Sequence, residues 1–257
     1  MILRFRNRLY AVAFIELAFA AILLGLFEFF SDLMFKPQMR IDKTKVWPML
    51  SIPVCWEEDY PDFANEKKWA QNSVHQLLEL NSDYKFGDWS KRCGAGDENA
   101  IRIAVADEWP LTDIGYRPRG SAGPTHLRLN FKFAAWAPAC SSEKIGADGM
   151  SIREHCIRTI AVHEMLHALG ALHEQLDPKL KERDPDCYRV YDPILICEAG
   201  DDQCGQHPVA LTAYDHDSIM NYCRNGASGN FYDLPVQLSD ADKVGLKALS
   251  AKSGMFE

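Results

Sequence analysis

The chain has 257 residues, of which 47% are apolar and 25% charged, an ordinary globular composition with ample material for a core. Its net charge of −8 argues against a nucleic-acid partner, because phosphate binding normally needs a basic face. Length alone allows one large domain or two small ones.

The N-terminus predicts a membrane-directed segment. Three arginines within the first eight residues precede an apolar run over residues 9–27, which contains the single acidic residue Glu16. Positive charge before an apolar run favours translocation of the chain that follows. We expect residues 1–30 to be an uncleaved signal anchor, with a cleaved signal peptide as the alternative. Either places the remainder outside the cytoplasm, membrane-anchored or secreted.

Cysteine usage also indicates an oxidising compartment. All eight cysteines lie beyond residue 50, and none forms the C-x-x-C pair typical of a cysteine-rich zinc site. We expect up to four disulfides with no preference among pairings, whereas buried thiols in a cytosolic protein are the alternative. The cysteines are Cys55, Cys93, Cys140, Cys156, Cys187, Cys197, Cys204 and Cys223.

After a connector at residues 31–45, the apolar pattern predicts a globular domain over 46–257 that begins with a sheet and one helix. The predicted elements are an edge strand over 46–54, a helix over 62–80, and strands over 84–89, 101–106 and 125–131. The first strand is assigned to an edge because its prolines lack the N–H that a sheet ladder needs.

The strand predicted over 125–131 alternates cleanly between apolar and polar residues. Leu127, Leu129 and Phe131 are expected to face the core, so that His126 and Asn130 face solvent. As the last strand before the second helix, it is a candidate for pairing with an extended peptide, and a plain half-buried strand is the alternative.

Residues 163–174 contain the pattern H-E-x-x-H-x-x-G-x-x-H. His163 and His167 are four residues apart and therefore share one face of a helix. Gly170 allows the helix to end and the chain to turn, so that His173 reaches the same ion. Three neutral nitrogens that hold Zn²⁺ with a fourth position open are typical of a catalytic site. Glu164 is well placed to act on water in that position.

The helix that carries this motif is expected to begin at Ser151, which forms a capping box with Glu154, and to end at Gly170. Residues 174–213 contain four prolines and three cysteines, so we expect little regular structure there. Ser239 is expected to cap a short C-terminal helix.

The zinc pattern, together with the run Ser218-Ile219-Met220-x-Tyr222, resembles the metzincin peptidases with their Met-turn, and within them the astacin family. The resemblance covers most of residues 46–250. It implies an α+β zincin fold. The N-terminal subdomain, about 46–172, would be a twisted sheet with two long helices. The C-terminal subdomain, about 173–257, would be mostly irregular, with the Met-turn and a terminal helix.

The resemblance also assigns roles to single residues. His163, His167 and His173 would be the zinc ligands and Glu164 the general base. Tyr222 would ligate zinc in the resting enzyme and swing away to stabilise the transition state.

Two further roles follow from the same resemblance. Met220 would form the hydrophobic floor of the site, and Glu174 would help to tie the subdomains together. Asn221 replaces the family's histidine in the Met-turn, a change that affects only local packing because that residue is not a ligand. Residues 86–88, Phe-Gly-Asp, resemble a latency motif but lack its spacer, and we interpret them as part of a strand.

The sequence therefore predicts a zinc-dependent endopeptidase that hydrolyses extracytoplasmic proteins or peptides. Arg224, just past the Met-turn, could favour an acidic substrate residue near the cut. The alternatives are a non-catalytic zinc-containing module that binds a peptide or surface, and a disulfide-stapled surface protein with an incidental motif. Neither the substrate nor the oligomeric state follows from the sequence.

Overall fold

A computed structural model describes residues 39–117, 126–146, 148–191, 207–224 and 236–253. The predicted signal anchor lies outside these residues. Within the ranges just given, no helix is both long enough and apolar enough to cross a membrane.

Eight strands and five helices position the site in the described part of the chain. The strands are β1 Arg40–Asp42, β2 Ser51–Trp56, β3 Lys85–Gly87, β4 Ile101–Val105, β5 Leu111–Thr112, β6 Leu127–Leu129, β7 Ala171–Leu172 and β8 Pro208–Ala210. The helices are α1 Ala64–Leu77, α2 Ile152–Ala168, α3 Leu180–Arg183, α4 Pro185–Val190 and α5 Asp240–Ser253. The chain thus has the predicted α+β composition.

Five strands form the main sheet in the order β3-β2-β4-β6-β5, in which only β5 runs antiparallel to its neighbour. The edge assignment for 46–54 is wrong, because β2 lies between β3 and β4. Pro53 is tolerated there because the ladder with β4 begins only at Val54.

The strand predicted over 125–131 is confirmed in part, as the shorter β6. It pairs with β4 on one side and β5 on the other, so its backbone is not available for a substrate. On this side of the sheet the edge strand among the described residues is β5, whose two residues are too few to show an alternating pattern. His126 and Asn130 are buried rather than solvent-facing. His126 stacks on Trp47, which comes from a distant part of the chain.

The second sheet joins the two ends of the domain. β1 pairs antiparallel with β7, just before the third histidine of the motif, and with β8 from the C-terminal half. Residues 40–42, which the sequence assigned to a connector, are therefore in a sheet. Met39 and Ile41 are buried in the main core.

Helices α1 and α2 pack against each other, and α2 also contacts β5 and β6. Thirteen of the seventeen residues of α2 are buried, so this helix passes through the interior rather than along the surface. The polar groups among these buried residues are therefore held in a low-dielectric environment unless they face a cavity.

Both ends of α2 lie where the sequence predicts, although the Glu154 carboxylate pairs with Arg158 rather than completing the capping box. The Ser151 hydroxyl accepts the Glu154 N–H at 3.1 Å. Gly170 has a φ of +105°, a conformation that residues with a Cβ rarely adopt, and its N–H donates to the His167 carbonyl at 2.8 Å. The chain reverses here and enters β7.

The second half contains more regular structure than expected, since α3 and α4 lie within the predicted irregular region. A small cluster of Leu180, Cys187 and Cys223 forms a satellite core there. Three disulfides join the cysteines of the described chain: Cys55–Cys93, Cys140–Cys156 and Cys187–Cys223. The remaining two, Cys197 and Cys204, lie outside it.

Candidate active site

Three histidine side chains converge at the C-terminal end of α2. The Nε2 atom of His173 lies 3.1 Å from that of His163 and 3.0 Å from that of His167. Four nitrogens or oxygens around Zn²⁺ at about 2.0–2.1 Å in tetrahedral geometry lie roughly 3.3 Å apart. The spacing of the imidazoles is therefore close to what one zinc ion requires.

The outer nitrogens of two of these rings have backbone partners. Nδ1 of His163 donates to the Ile219 carbonyl and Nδ1 of His167 to the Ala171 carbonyl, both at 2.8 Å. A carbonyl only accepts, so each Nδ1 carries the proton and each Nε2 presents a lone pair. His173 has one proton at most to offer these two lone pairs, so the donor set fits a cation better than a hydrogen-bonded triad.

Burial keeps the three rings neutral. It lowers the pKa of His163 to about 4 and that of His167 to about 3, and it lowers the pKa of His173 well below its usual value. Neutral imidazole is the form that binds metal, so no proton must leave at physiological pH.

Glu164 is buried on α2 and lines a cavity next to His163. Burial raises the pKa of its carboxyl to about 7, against the opposing effect of a hydrogen bond from Thr112. The Thr112 hydroxyl donates to Oε2 of Glu164 at 2.6 Å. A carboxyl group that changes protonation near neutrality is suited to accepting and returning a proton.

The Met-turn lies against both segments that carry histidines. The carbonyl of Ile219 binds His163, and that of Met220 accepts the N–H of Glu174 at 3.0 Å. Met220 itself is buried in the main core. The turn therefore joins α2 to the segment after β7.

Tyr222 lies beside the histidines. Its ring stacks on His163 at 5.7 Å between centroids and lies 4.3 Å from the ring of His173. The backbone N–H of Tyr222 donates to Oε1 of Gln175 at 3.2 Å. The structure thus brings Tyr222 to the site together with His163, Glu164, His167 and His173.

Asn221 connects the Met-turn to residues before it and to the residue that follows Tyr222. Its Nδ2 donates to the Tyr214 hydroxyl at 3.0 Å and to the Asp215 carbonyl at 3.1 Å, and its Oδ1 accepts the Cys223 N–H at 2.9 Å. Both polar atoms of its side chain are therefore occupied by contacts in and beside the turn.

Glu174 is fully buried, and burial raises its pKa well above the usual value. Oε2 accepts the N–H of Asp215 at 3.4 Å, and Arg40 on β1 contributes a favourable charge. These contacts connect the segment after β7 both to the Met-turn region and to the first strand, which agrees with the expected tie between subdomains.

Sequence reasoning missed Asp242, which anchors the Met-turn to α5. Oδ1 accepts the Ser218 hydroxyl at 2.6 Å, and Oδ2 accepts the backbone N–H of Ile219 at 3.0 Å. Asp242 also takes part in the cap of α5: its N–H donates to the hydroxyl of Ser239, the N-cap residue, at 2.9 Å, and its Oδ2 accepts the Ser239 N–H at 3.1 Å. The cap could be found from the sequence, whereas the contact with the Met-turn has no local signal.

The cavity beside Glu164 extends past the Met-turn, and Arg224 lies at its wall. Burial lowers the pKa of Arg224, while the acidic side chains Asp242, Asp217 and Asp215 act in the opposite direction. Its guanidinium makes no ion pair with any side chain in the described ranges. The other lining residues include Trp109, Trp136, Thr159, Ile160 and Tyr222.

Comparison with known proteins places the chain among the peptidases. The family model described as Astacin, a peptidase family, matches residues 65–247, which is most of the chain. The chain belongs to the astacin family. It is therefore a zinc-dependent metalloendopeptidase that acts on proteins or peptides, with the metzincin fold that the sequence predicts.

Two solved structures are also similar to this chain. Myroilysin is 18% identical, with 80% of this chain and 96% of that chain covered and a TM-score of 0.46. High choriolytic enzyme 1, a hatching enzyme zinc-protease from Oryzias latipes (Medaka fish), is 17% identical, with 81% and 95% covered and a TM-score of 0.43. No curated protein matches the chain significantly.

Two histidines outside the motif have carboxylate partners of their own. The three motif histidines are the only metal-binding group found among the described residues. His155 pairs with Asp148, and His216 with Asp184. The strand predicted for residues 86–88 is confirmed in part: Phe86 and Gly87 belong to β3, at the sheet edge opposite to β5, whereas Asp88 follows the strand with a φ of +64°.

Proposed function

We propose that this astacin cleaves extended peptide segments outside the cytoplasm, with His163, His167 and His173 as zinc ligands and Glu164 as general base. The observation that carries the proposal is the convergence of three neutral imidazole rings beside the buried carboxyl group of Glu164, which lines a cavity together with His163. A structural zinc site would have no need for that carboxyl group.

Bound zinc would supply a Lewis acid that polarises the scissile carbonyl and makes water more acidic. Glu164 takes the proton of the attacking water and returns it to the leaving amine. The Tyr222 hydroxyl donates a hydrogen bond to the oxyanion of the tetrahedral intermediate, a contribution typically worth a few kcal/mol. Stacking on His163 supports this placement of Tyr222.

The substrate lies along β5. Among the described residues no strand pairs with its outer edge, and the side chains of Trp109 and Leu111 are exposed there. An extended peptide can add to such an edge through backbone hydrogen bonds. A substrate side chain would then enter the cavity beside Glu164, where the guanidinium of Arg224 favours a carboxylate.

Location outside the cytoplasm is supported by two independent features. One is the arginine-led apolar run over residues 9–27. The other is the set of disulfides in the domain, which persist in oxidising compartments. Anchoring and secretion are both compatible with these features.

The decisive test uses the purified full-length protein, loaded with one equivalent of zinc, on a peptide library. We expect cleavage that falls by about 10²–10⁴-fold in Glu164→Gln while zinc remains bound. Stoichiometric zinc without any cleavage that depends on Glu164 would instead favour a non-catalytic peptide-binding module. Absence of zinc from the folded protein would refute both.

A further inference from the structure

The carboxyl group of Glu164 has one hydrogen-bond donor in the described chain, the hydroxyl of Thr112. The 2.6 Å bond to Oε2 joins two buried side chains, with 4% of Thr112 and 7% of Glu164 exposed. Thr112 is the last residue of β5, and its backbone is paired with Leu127 of β6. The hydroxyl therefore comes from a fixed strand rather than from a mobile loop.

A glutamate needs such a contact to be oriented. The torsion that turns its carboxylate plane has broad, shallow preferences, so α2 alone does not fix where the two oxygens point. Arg128, the cation whose charge acts on the pKa of Glu164, is engaged elsewhere. Its guanidinium pairs with Glu108 at 2.7 Å and donates to the Trp109 carbonyl at 2.9 Å.

We infer that Thr112 is a positioning residue for the general base, because its hydroxyl holds Oε2 of Glu164 and leaves Oε1 to meet the attacking water. The inference rests on the proposed function of Glu164. Since Thr112 belongs to the edge strand along which the peptide lies, one rigid element sets both the substrate register and the direction of the base. Misplacement of a reacting group by about 1 Å can cost up to 10²-fold in rate.

The test distinguishes the effect of losing the Thr112 hydroxyl from the effect of changing the shape of its side chain. Thr112→Val keeps the branched shape and removes the donor, whereas Thr112→Ser keeps the donor. Thr212→Val is the matched control, because Thr212 is also buried and its hydroxyl has no partner among the described residues. Each full-length, zinc-loaded variant is measured for kcat and KM, and a crystal structure of Thr112→Val gives the orientation of the Glu164 carboxylate.

We expect Thr112→Val to lose at least about ten-fold in kcat with KM unchanged, and its Glu164 carboxylate to be rotated or spread over several orientations. Thr112→Ser should stay within about three-fold of the wild type, and Thr212→Val should match it. Equal kcat in Thr112→Val and wild type, or equal loss in the Val and Ser variants, would overturn the inference. If the wild type shows no cleavage that depends on Glu164, the proposed function fails as well.

Discussion

Replacement of Asp242 by alanine tests whether α5 holds the zinc site together through the Met-turn. The carboxylate is buried and accepts hydrogen bonds from the Ser218 hydroxyl, the Ile219 N–H and the Ser239 N–H. Truncation would leave the donors of Ser218 and Ile219 buried without this acceptor, at about 1–3 kcal/mol each, whereas the partly exposed Ser239 can bind water. Burial raises the pKa of Asp242, which means that its charged form is unfavourable in the folded protein. Removal of the charge therefore offsets part of the free energy lost with the hydrogen bonds. We expect a net loss of about 2–4 kcal/mol in the free energy of unfolding.

Zinc affinity should fall as well. The Ile219 carbonyl is the acceptor for Nδ1 of His163, so a shift of the turn disturbs the orientation of a ligand. Loss of such outer contacts typically weakens metal binding 10–100-fold. Urea unfolding of the chelated protein gives the stability change, and competition with a zinc chelator gives the affinity.

Two variants serve as controls for Asp242→Ala. Asp240 is on the same helix with its side chain 98% exposed, so Asp240→Ala should leave the unfolding midpoint unchanged. Asp242→Asn should retain most of the stability, because the amide oxygen still accepts the N–H and the Ser218 hydroxyl can accept from the amide nitrogen. If Asp242→Ala unfolds like Asp240→Ala, or loses stability without weaker zinc binding, the anchor has no role in the site.

Three further predictions concern the site and its surroundings. Tyr222→Phe keeps the ring that stacks on His163 and loses the hydroxyl, so kcat should fall by about 100-fold with little change in KM; an unchanged kcat would exclude the oxyanion role. Arg224→Ala should lower kcat/KM about ten-fold for peptides with an acidic residue at the cavity and not for neutral ones, as a cleavage-site profile would reveal. His126 has its pKa lowered to about 3 by burial, so its contribution to stability is present above pH 6.5 and is lost as the pH falls towards 3. Between pH 7 and pH 5 the wild type should therefore lose about 2 kcal/mol more than His126→Gln in denaturant titrations, and parallel losses would contradict the assignment.

The sequence predicts the features that depend on local spacing. The four-residue spacing of His163 and His167, the cap at Ser151 and the turn at Gly170 all follow from helix geometry, and the structure has them where expected. The astacin resemblance added Tyr222, which lies far along the chain from the histidines and reaches them only through the fold.

What the sequence misses depends on contacts between distant segments. Thr112 reaches Glu164 across 52 residues, and Asp242 reaches Ser218 across 24. His126 illustrates a different limit. The alternating pattern predicts which side chains of a strand point to the same face. It does not predict whether a distant residue, here Trp47, packs against the opposite face and buries His126.

The groups that orient the histidines come from elements too short to be stable alone. His167 is fixed by β7, which has two residues, and His163 by the Met-turn. Each is held in place by a neighbour: β7 by its pairing with β1, and the Met-turn by the carboxylate of Asp242. A substitution in β1 would therefore affect His167 through the Ala171 carbonyl, and a substitution in α5 would affect His163 through the Ile219 carbonyl. Neither substitution needs direct contact with the histidine.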